Sequence, residues 1–377
     1  MDFNLNPNYV WFSWLVFAVF GISFIIQLFY YIRFNTALIF YKPETSKLKQ
    51  EPVSIIICAK DEGENLQKFL PMILEQDYPD YEVIVVNDRS EDNTEYILEV
   101  FKKKYSFLYS TQIKENFDKG RGKKLALTIG IKAAKNELLL FTDADCQIKS
   151  TRWLAEMQKN FKAGIQIVLG YGAYKEKEGM LNKFIRTDTS LIAIQYLNYS
   201  LRACPYMGIG RNIAYRKSLF FSNKGFASHY HLDSGDDDLF VNETATSSNT
   251  AIEISEESFT WSEPPTSFNE WLGMKKRHFT TSKYYKPKYK LLLGLELLSR
   301  ILFYTNFVIL CSLGSFLWIT LLLFFFRLLF QIVLFKLSLN RLNEKNLLLY
   351  SLFYDILFPV FGLYIRIRKH SIDKLTR

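Results

Sequence analysis

Residues 3–32 carry no charge, and residues 9–32 are almost continuously apolar. A helix needs about 20 apolar residues to cross roughly 30 Å of hydrocarbon, so this run predicts a membrane anchor. It has neither the basic leading region nor the small-residue cleavage site of a signal peptide, and we read it as retained. A second apolar block lies near the other end. Residues 301–326 are uncharged, Arg327 interrupts, and 328–335 are apolar again. As one helix, 301–335 would be about 52 Å long, more than one crossing needs. The expectation is two short helices, the first starting near Leu297, with a turn near Gly314. A third candidate, 347–365, contains Asp355 and Pro359. An aspartate in hydrocarbon is expensive and predicts a re-entrant or interfacial segment facing protein.

The formal net charge is +9, but its placement argues against nucleic acid as a partner. Lys275, Lys276, Arg277, Lys283, Lys286, Lys288 and Lys290 cluster before the second apolar block, interleaved with Tyr284, Tyr285 and Tyr289. Basic side chains beside interfacial tyrosines predict contact with an anionic lipid bilayer. Arg33, Lys42, Lys47 and Lys49 follow the first span, whereas Asp2 is the only charged side chain before it. By the positive-inside rule the middle of the chain faces the cytoplasm, in a multi-pass protein of the cell (inner) membrane. A re-entrant 347–365 would also keep the basic tail, 366–377, inside. Cys58, Cys146, Cys204 and Cys311 show no C-x-x-C spacing, so neither a zinc site nor a disulfide framework is expected. The expected organisation is an anchor (1–41), a cytoplasmic domain (42–267), an amphipathic interfacial segment (268–296) and a C-terminal membrane region (297–377).

Within the middle domain short apolar runs alternate with amphipathic stretches. "VSIIICA" (53–59), "YEVIVVN" (81–87), "FLYSTQI" (107–113), "ELLLFTD" (137–143) and "IQIVLGY" (165–171) read as strands. Helical patterns cover 64–76, 94–105, 123–135 and 151–161. Alternating βα units predict an α/β fold with a mainly parallel, doubly wound sheet. Ligands of such sheets sit beyond the carboxyl ends of the strands. There the chain reads "KDEGEN" (60–65), "NDRSEDNT" (87–94) and "DADC" (143–146). Each cluster alone suits turns and helix caps. Three at successive strand ends suit a shared ligand site.

Asp143 and Asp145, at i and i+2, point the same way in an extended segment, with Ala144 turned into the protein. Paired hard oxygen donors suit Mg²⁺ or Mn²⁺, which would in turn bind a diphosphate. Asp88 is placed to accept a hydrogen bond from a base or ribose. In "KGRGKKLAL" (119–127), Lys123 lies near a helix N-terminus, where an anion is favoured. The alternative for this stretch is a flexible basic surface loop.

These stretches, with "MGIGRNIAYRKSLF" and "GDDDLF", resemble in order and spacing the family 2 glycosyltransferases of GT-A fold, membrane-anchored branch. The resemblance covers about residues 50–280. It implies a nucleoside-diphosphate sugar donor and inversion at the anomeric carbon. Asp88 then corresponds to the nucleotide-contacting aspartate, and Asp143, Ala144 and Asp145 to the metal and diphosphate motif. Lys60 and Glu62 lie in the loop lining the nucleotide pocket, and Gly208, Gly210, Arg211 and Asn212 match the loop near the transferred sugar. "GDDDLF" corresponds to the motif carrying the general base, either Asp236 or, one residue along, Asp237.

Synthases of this branch typically carry Q/R-x-x-R-W. Here the matching place reads "MKKRH", with Arg277 able to pair with phosphate and His278 in place of the indole. The departure argues against processive synthesis. The expectation is therefore a membrane-bound transferase adding a single sugar to a lipid-linked or membrane-proximal glycan acceptor. The alternatives are a processive polysaccharide synthase and a non-catalytic nucleotide-binding scaffold.

Overall fold

The computed structural model describes residues 7–43, 50–113, 122–359 and 362. Lys47, Lys49 and the basic tail 366–377 lie outside the described residues, as do Asp2 and residues 119–121 of the basic loop. The chain forms two compact units, Tyr41–Lys286 on one hand and Met1–Phe40 with Pro287–Arg377 on the other.

The first unit is built on a seven-stranded sheet. Its strands are β1 (Val53–Ala59), β2 (Tyr81–Asn87), β3 (Leu108–Gln112) and β4 (Leu138–Asp143). After β5 (Gln147–Ile148) come β6 (Ile167–Leu169), β7 (Gly172–Tyr174), β8 (Ile213–Arg216), β9 (Thr250–Ile252) and β10 (Thr260–Ser262). The order is β3-β2-β1-β4-β8-β6-β9, and a small second sheet runs β5-β10-β7. β3, β2, β1 and β4 are parallel, while β8 runs antiparallel to both β4 and β6.

Of the parallel strands, β1, β2 and β4 are buried on both faces, which is why they read as unbroken Val/Ile/Leu runs. Ile55, Ile57, Val83, Val85, Leu138 and Leu140 are all buried, packed against Leu66, Leu70, Ile97 and Leu154. Each such side chain contributes about 1.5–3 kcal/mol on burial. Helices Gly63–Leu74, Thr94–Lys104, Gly122–Ala133 and Trp153–Gln158 fall on the expected stretches. The expected strand 165–171 is shorter, because the chain bends at Gly170 to start β7, and β8 and β9 are too short to show a pattern.

The stretch expected at the lipid surface divides. Phe268–Thr281 is a helix of the sheet unit, capped by the Ser267 hydroxyl, with Trp271, Leu272 and Lys275 buried. Lys275 is therefore not a lipid-facing charge: its ammonium lies 2.8 Å from Asp188, which also accepts from the Trp271 indole at 3.2 Å. Tyr285, expected at the interface, is likewise buried, its hydroxyl donating to Asp238.

In the second unit, Pro7–Phe34, Pro287–Leu313 and Leu317–Arg341 are helices. Among the described residues, three helices are long and apolar enough to cross a membrane. The second begins at Pro287 instead of near Leu297, and proline suits a first helical turn because its missing N–H has no helical partner there anyway. The chain reverses at Gly314 and Phe316, whose φ of 66° and 52° place them in the left-handed region. Phe20 stacks on Phe303 at 4.8 Å.

The described part of the third candidate is a shorter apolar helix, Leu348–Pro359. Its Asp355 is buried and faces protein, 3.0 Å from Arg327 and 3.1 Å from Arg300. Tyr304 donates to it at 2.7 Å, and Arg327 also reaches Gln27 and Gln331, both at 2.9 Å. Removing one partner of a buried ion pair strands the other charge, at a cost of about 3–5 kcal/mol. Asp355→Leu is accordingly expected to lower the thermal unfolding midpoint in detergent, whereas Leu349→Ala, at an exposed position, should leave it within a degree or two.

Candidate active site

The carboxyl ends of β1, β2 and β4 open onto a cleft of about 550 Å³. Lys60, Glu62, Asp88, Lys123, Asp143, Ala144, Asp145 and Arg277 line it. Gly210, Asp236 and Asp237 line a small adjoining hollow that shares Lys123 and Asp143 with the cleft.

The two loops after β1 and β2 are laced together, so most of their polar residues serve capping. Asp61 accepts from Glu91 N at 2.8 Å, and Asp92 accepts from Gly63 N at 2.9 Å and Thr94 N at 3.0 Å. Lys60, Glu62 and Asp88 are left facing the cleft. Glu62 accepts from Asn65 at 2.6 Å, and burial pushes its carboxyl up, against the lowering effect of that hydrogen bond. Asp88 accepts from Arg89 Nε at 2.8 Å. Its other oxygen would lie 2.3 Å from a Cβ at Gly122, so a larger residue there would push the Asp88 carboxylate from its place.

Asp143 is the last residue of β4, whereas Asp145 lies in the turn that follows and not in extended chain. Cys146 N bonds back to Asp143 O at 3.1 Å, closing a turn, and the ligand atoms of Asp143, Asp145 and Cys146 come within 4.8 Å of one another. Ala144 is buried, as expected, and the Cys146 thiol is buried against Ser262 Oγ at 3.1 Å. Burial and the neighbouring Asp143 push the Asp145 carboxyl up to about 6, with Arg211 opposing. Two crowded carboxylates of this kind fit a hard divalent cation.

A cation needs both carboxylates ionised. Mn²⁺ affinity is therefore expected to hold above neutral pH and to fall about tenfold by pH 5, as Asp145 takes up its proton. Calorimetric titration at the two pH values measures this.

Lys123 connects the two halves of the site, 2.9 Å from Asp143 and 3.5 Å from Asp236. Burial opposes its charge, but Asp143, Asp236 and Asp237 outweigh it and raise the ammonium pKa; the same lysine holds Asp143 below the usual range despite burial.

The three consecutive acids have separate tasks. Asp237 caps the following helix, accepting from Asp238 N and from Gly210 N, each at 2.7 Å. Asp238 is buried, bonded to Leu239 N, Thr281 and Tyr285. The Asp236 side chain, by contrast, has only the Lys123 ion pair among the described residues. Burial, then Asp236 and Asp238, push Asp237 up to about 7.

Four expected site residues lie outside both the cleft and the hollow. Asn212 is fully buried, holding Tyr171 O at 2.8 Å and Ser258 O at 2.7 Å while accepting from the Trp153 indole; it joins the two sheets. Gly208 packs so tightly that a Cβ would meet Leu169 at 2.9 Å. Arg211 lies with its guanidinium 4.3 Å over the Tyr174 ring, near enough to lower Asp145. His278, one residue beyond Arg277, is exposed and does not line the cleft. Conversely Arg89, Leu232 and Asp233 line it unexpectedly. Arg89 was visible in the second strand-end cluster, but nothing in the pattern marks 232–233.

Residues 54–221 match the family model described as glycosyl transferase family 2. A poly-beta-1,6-N-acetyl-D-glucosamine synthase of Staphylococcus epidermidis is 33% identical over 136 residues, 35% of this chain and 31% of that protein. The same-named protein of Staphylococcus aureus strain COL is 28% identical over 157 residues, 41% and 37% of the two chains. The chain thus matches about a third of the length of these curated relatives.

In fold, the chain is similar to the mannosyltransferase PcManGT from Pyrobaculum calidifontis, solved with GDP-Man and Mn²⁺. The TM-score is 0.59 at 18% identity, covering 91% of this chain and 98% of that one. The sheet unit is GT-A-like in fold, residues 54–221 within it match the glycosyl transferase family 2 model, and an Asp-x-Asp motif lies at its cleft.

Proposed function

We propose that the protein is a membrane-bound inverting glycosyltransferase, moving one sugar from a nucleoside-diphosphate sugar to a lipid-linked or membrane-proximal glycan acceptor. The observation that carries this is the Asp143–Lys123–Asp236 chain of contacts, which joins the cleft of the diphosphate site to a carboxylate in the adjoining hollow. The PcManGT complex, by its description, holds a nucleotide sugar and Mn²⁺.

Asp88, Glu62 and Lys60 face the nucleoside end, and Arg277 and Lys123 pair with phosphate oxygens. Asp143 and Asp145 would hold Mg²⁺ or Mn²⁺, which supplies charge neutralisation at the departing diphosphate. The acceptor hydroxyl oxygen bonds to the anomeric carbon as the carbon–phosphate oxygen bond breaks. The electron pair leaves with the diphosphate, and the hydroxyl proton passes to Asp236. Arg33 and Lys42 after the first span support a cytoplasmic site in the inner membrane.

The names of the staphylococcal relatives favour a second reading, a processive synthase; the Met274–His278 departure favours single transfer. A panel of UDP- and GDP-sugars with Mn²⁺ and membrane lipid extract tests both. Nucleoside diphosphate release with a product one sugar longer is expected. Long chains after brief incubation favour the synthase, and no release from any donor refutes the proposal.

A further inference from the structure

Lys124 follows the phosphate-side lysine and also borders the cleft, but its ammonium turns to the backbone of 229–234. Only 3% of it is exposed, and it lies in the first turn of the helix Gly122–Ala133, where the dipole disfavours a cation. A buried ammonium needs all three of its protons placed. Here each finds a carbonyl: His229 O at 2.6 Å, Leu232 O at 2.9 Å and Ser234 O at 2.8 Å.

All three belong to the single irregular segment 229–234, which the ammonium gathers from inside. That segment supplies Leu232 and Asp233 to the cleft wall. One residue beyond Ser234 the chain turns at Gly235, whose φ is 102° and whose Cβ would meet Leu239 at 2.6 Å. Asp236 comes next. The backbone before the reactive carboxylate is thus fastened to the same helix turn from which Lys123 reaches its side chain, 3.5 Å away.

We infer that Lys124 is a positioning residue for sugar transfer: its ammonium sets the segment 229–234, and so fixes Asp236 relative to the donor cleft. The inference rests on the glycosyltransferase reading above, and the two fail differently. An inactive wild type overturns that reading, whereas the inference is judged on variants of an active enzyme. An arginine at this position keeps the charge, but its planar fork cannot aim three donors at one point; a methionine keeps the stem without the charge.

The experiment uses full-length enzyme in detergent with Mn²⁺ and its best donor. It compares Lys124→Met and Lys124→Arg with Lys132→Met, an exposed position on the same helix. Lys124→Met is expected to lower kcat at least tenfold and to move the acid limb of its pH profile upward, because a cation near the acidic triplet is lost. The Kd for nucleoside diphosphate should stay within threefold. Lys124→Arg should lower kcat with an unmoved acid limb, and Lys132→Met should match wild type. If Lys124→Met does not fold, Lys124→Arg decides alone. Either Lys124 variant, folded and turning over at the wild-type rate, overturns the inference even if its melting temperature has dropped.

Discussion

Asp236→Asn is expected to lower kcat about 10³-fold, the middle of the range for loss of a general base, while nucleoside diphosphate affinity with Mn²⁺ stays within about threefold. The expectation follows from how the neighbouring acids are used. Asp237 holds two backbone amides and Asp238 holds Thr281 and Tyr285, so neither has a carboxylate free to take a proton from an acceptor. Asp236 has Lys123 alone among the described residues, and that contact adjoins the cleft. Asp237→Asn should cost stability first, by loosening Gly210 and the helix start, with a smaller loss of rate.

Burial first, then Asp236 and Asp238, raise the Asp237 carboxyl to about 7, so its hold on Gly210 N and Asp238 N is strongest when it is ionised. As Asp237 takes up its proton the helix start beside Asp236 loosens, so kcat/KM is expected to plateau above about pH 7 and decline below it. Full activity in Asp236→Asn with loss in Asp237→Asn would move the base one residue along.

The second large effect is expected at the metal motif. Asp145→Asn should weaken Mn²⁺-dependent nucleotide binding by about 100-fold or more, beyond what removal of a partner outside the ligand shell usually costs. At the end of β4 the ligand atoms of Asp143 and Asp145 lie within 4.8 Å of one another, and burial first, then Asp143, raises the Asp145 carboxyl. Asp143→Asn should weaken metal binding too and also release Lys123, so its losses should extend to kcat. Isothermal titration with and without Mn²⁺ separates the two variants. Equal nucleotide affinity in Asp145→Asn and wild type would remove Asp145 from metal binding.

Much of this was legible in the chain because the parallel strands β1, β2 and β4 are buried on both faces and so read as continuous apolar runs, with their polar ends standing out. The site residues that the structure brings together, Lys60, Glu62, Asp88, Lys123, Asp143 and Asp145, all come from those strand ends or from the next helix start. The loop carrying Gly208 to Asn212 was harder. Its polar residues look alike in sequence, yet Asn212 points into the core to satisfy Trp153 and two carbonyls.

Strands such as β8 and β9, of four and three residues, are too short for a period-2 pattern to register. Lys275 read as surface charge because its partner, Asp188, lies 87 positions away; only the fold brings them together. Lys123 and Lys124 are identical by type, and helix geometry alone sends one to Asp143 and the other to the segment 229–234.

The account stands on sugar transfer in this cleft with inversion at the anomeric carbon. Proton NMR of the product formed from an α-linked nucleotide sugar, followed from the first minutes, reads the new linkage directly. A β-linked product that requires Mn²⁺ or Mg²⁺ and is lost in Asp236→Asn is the predicted result. An α-linked product, or undiminished transfer by Asp236→Asn, would contradict it.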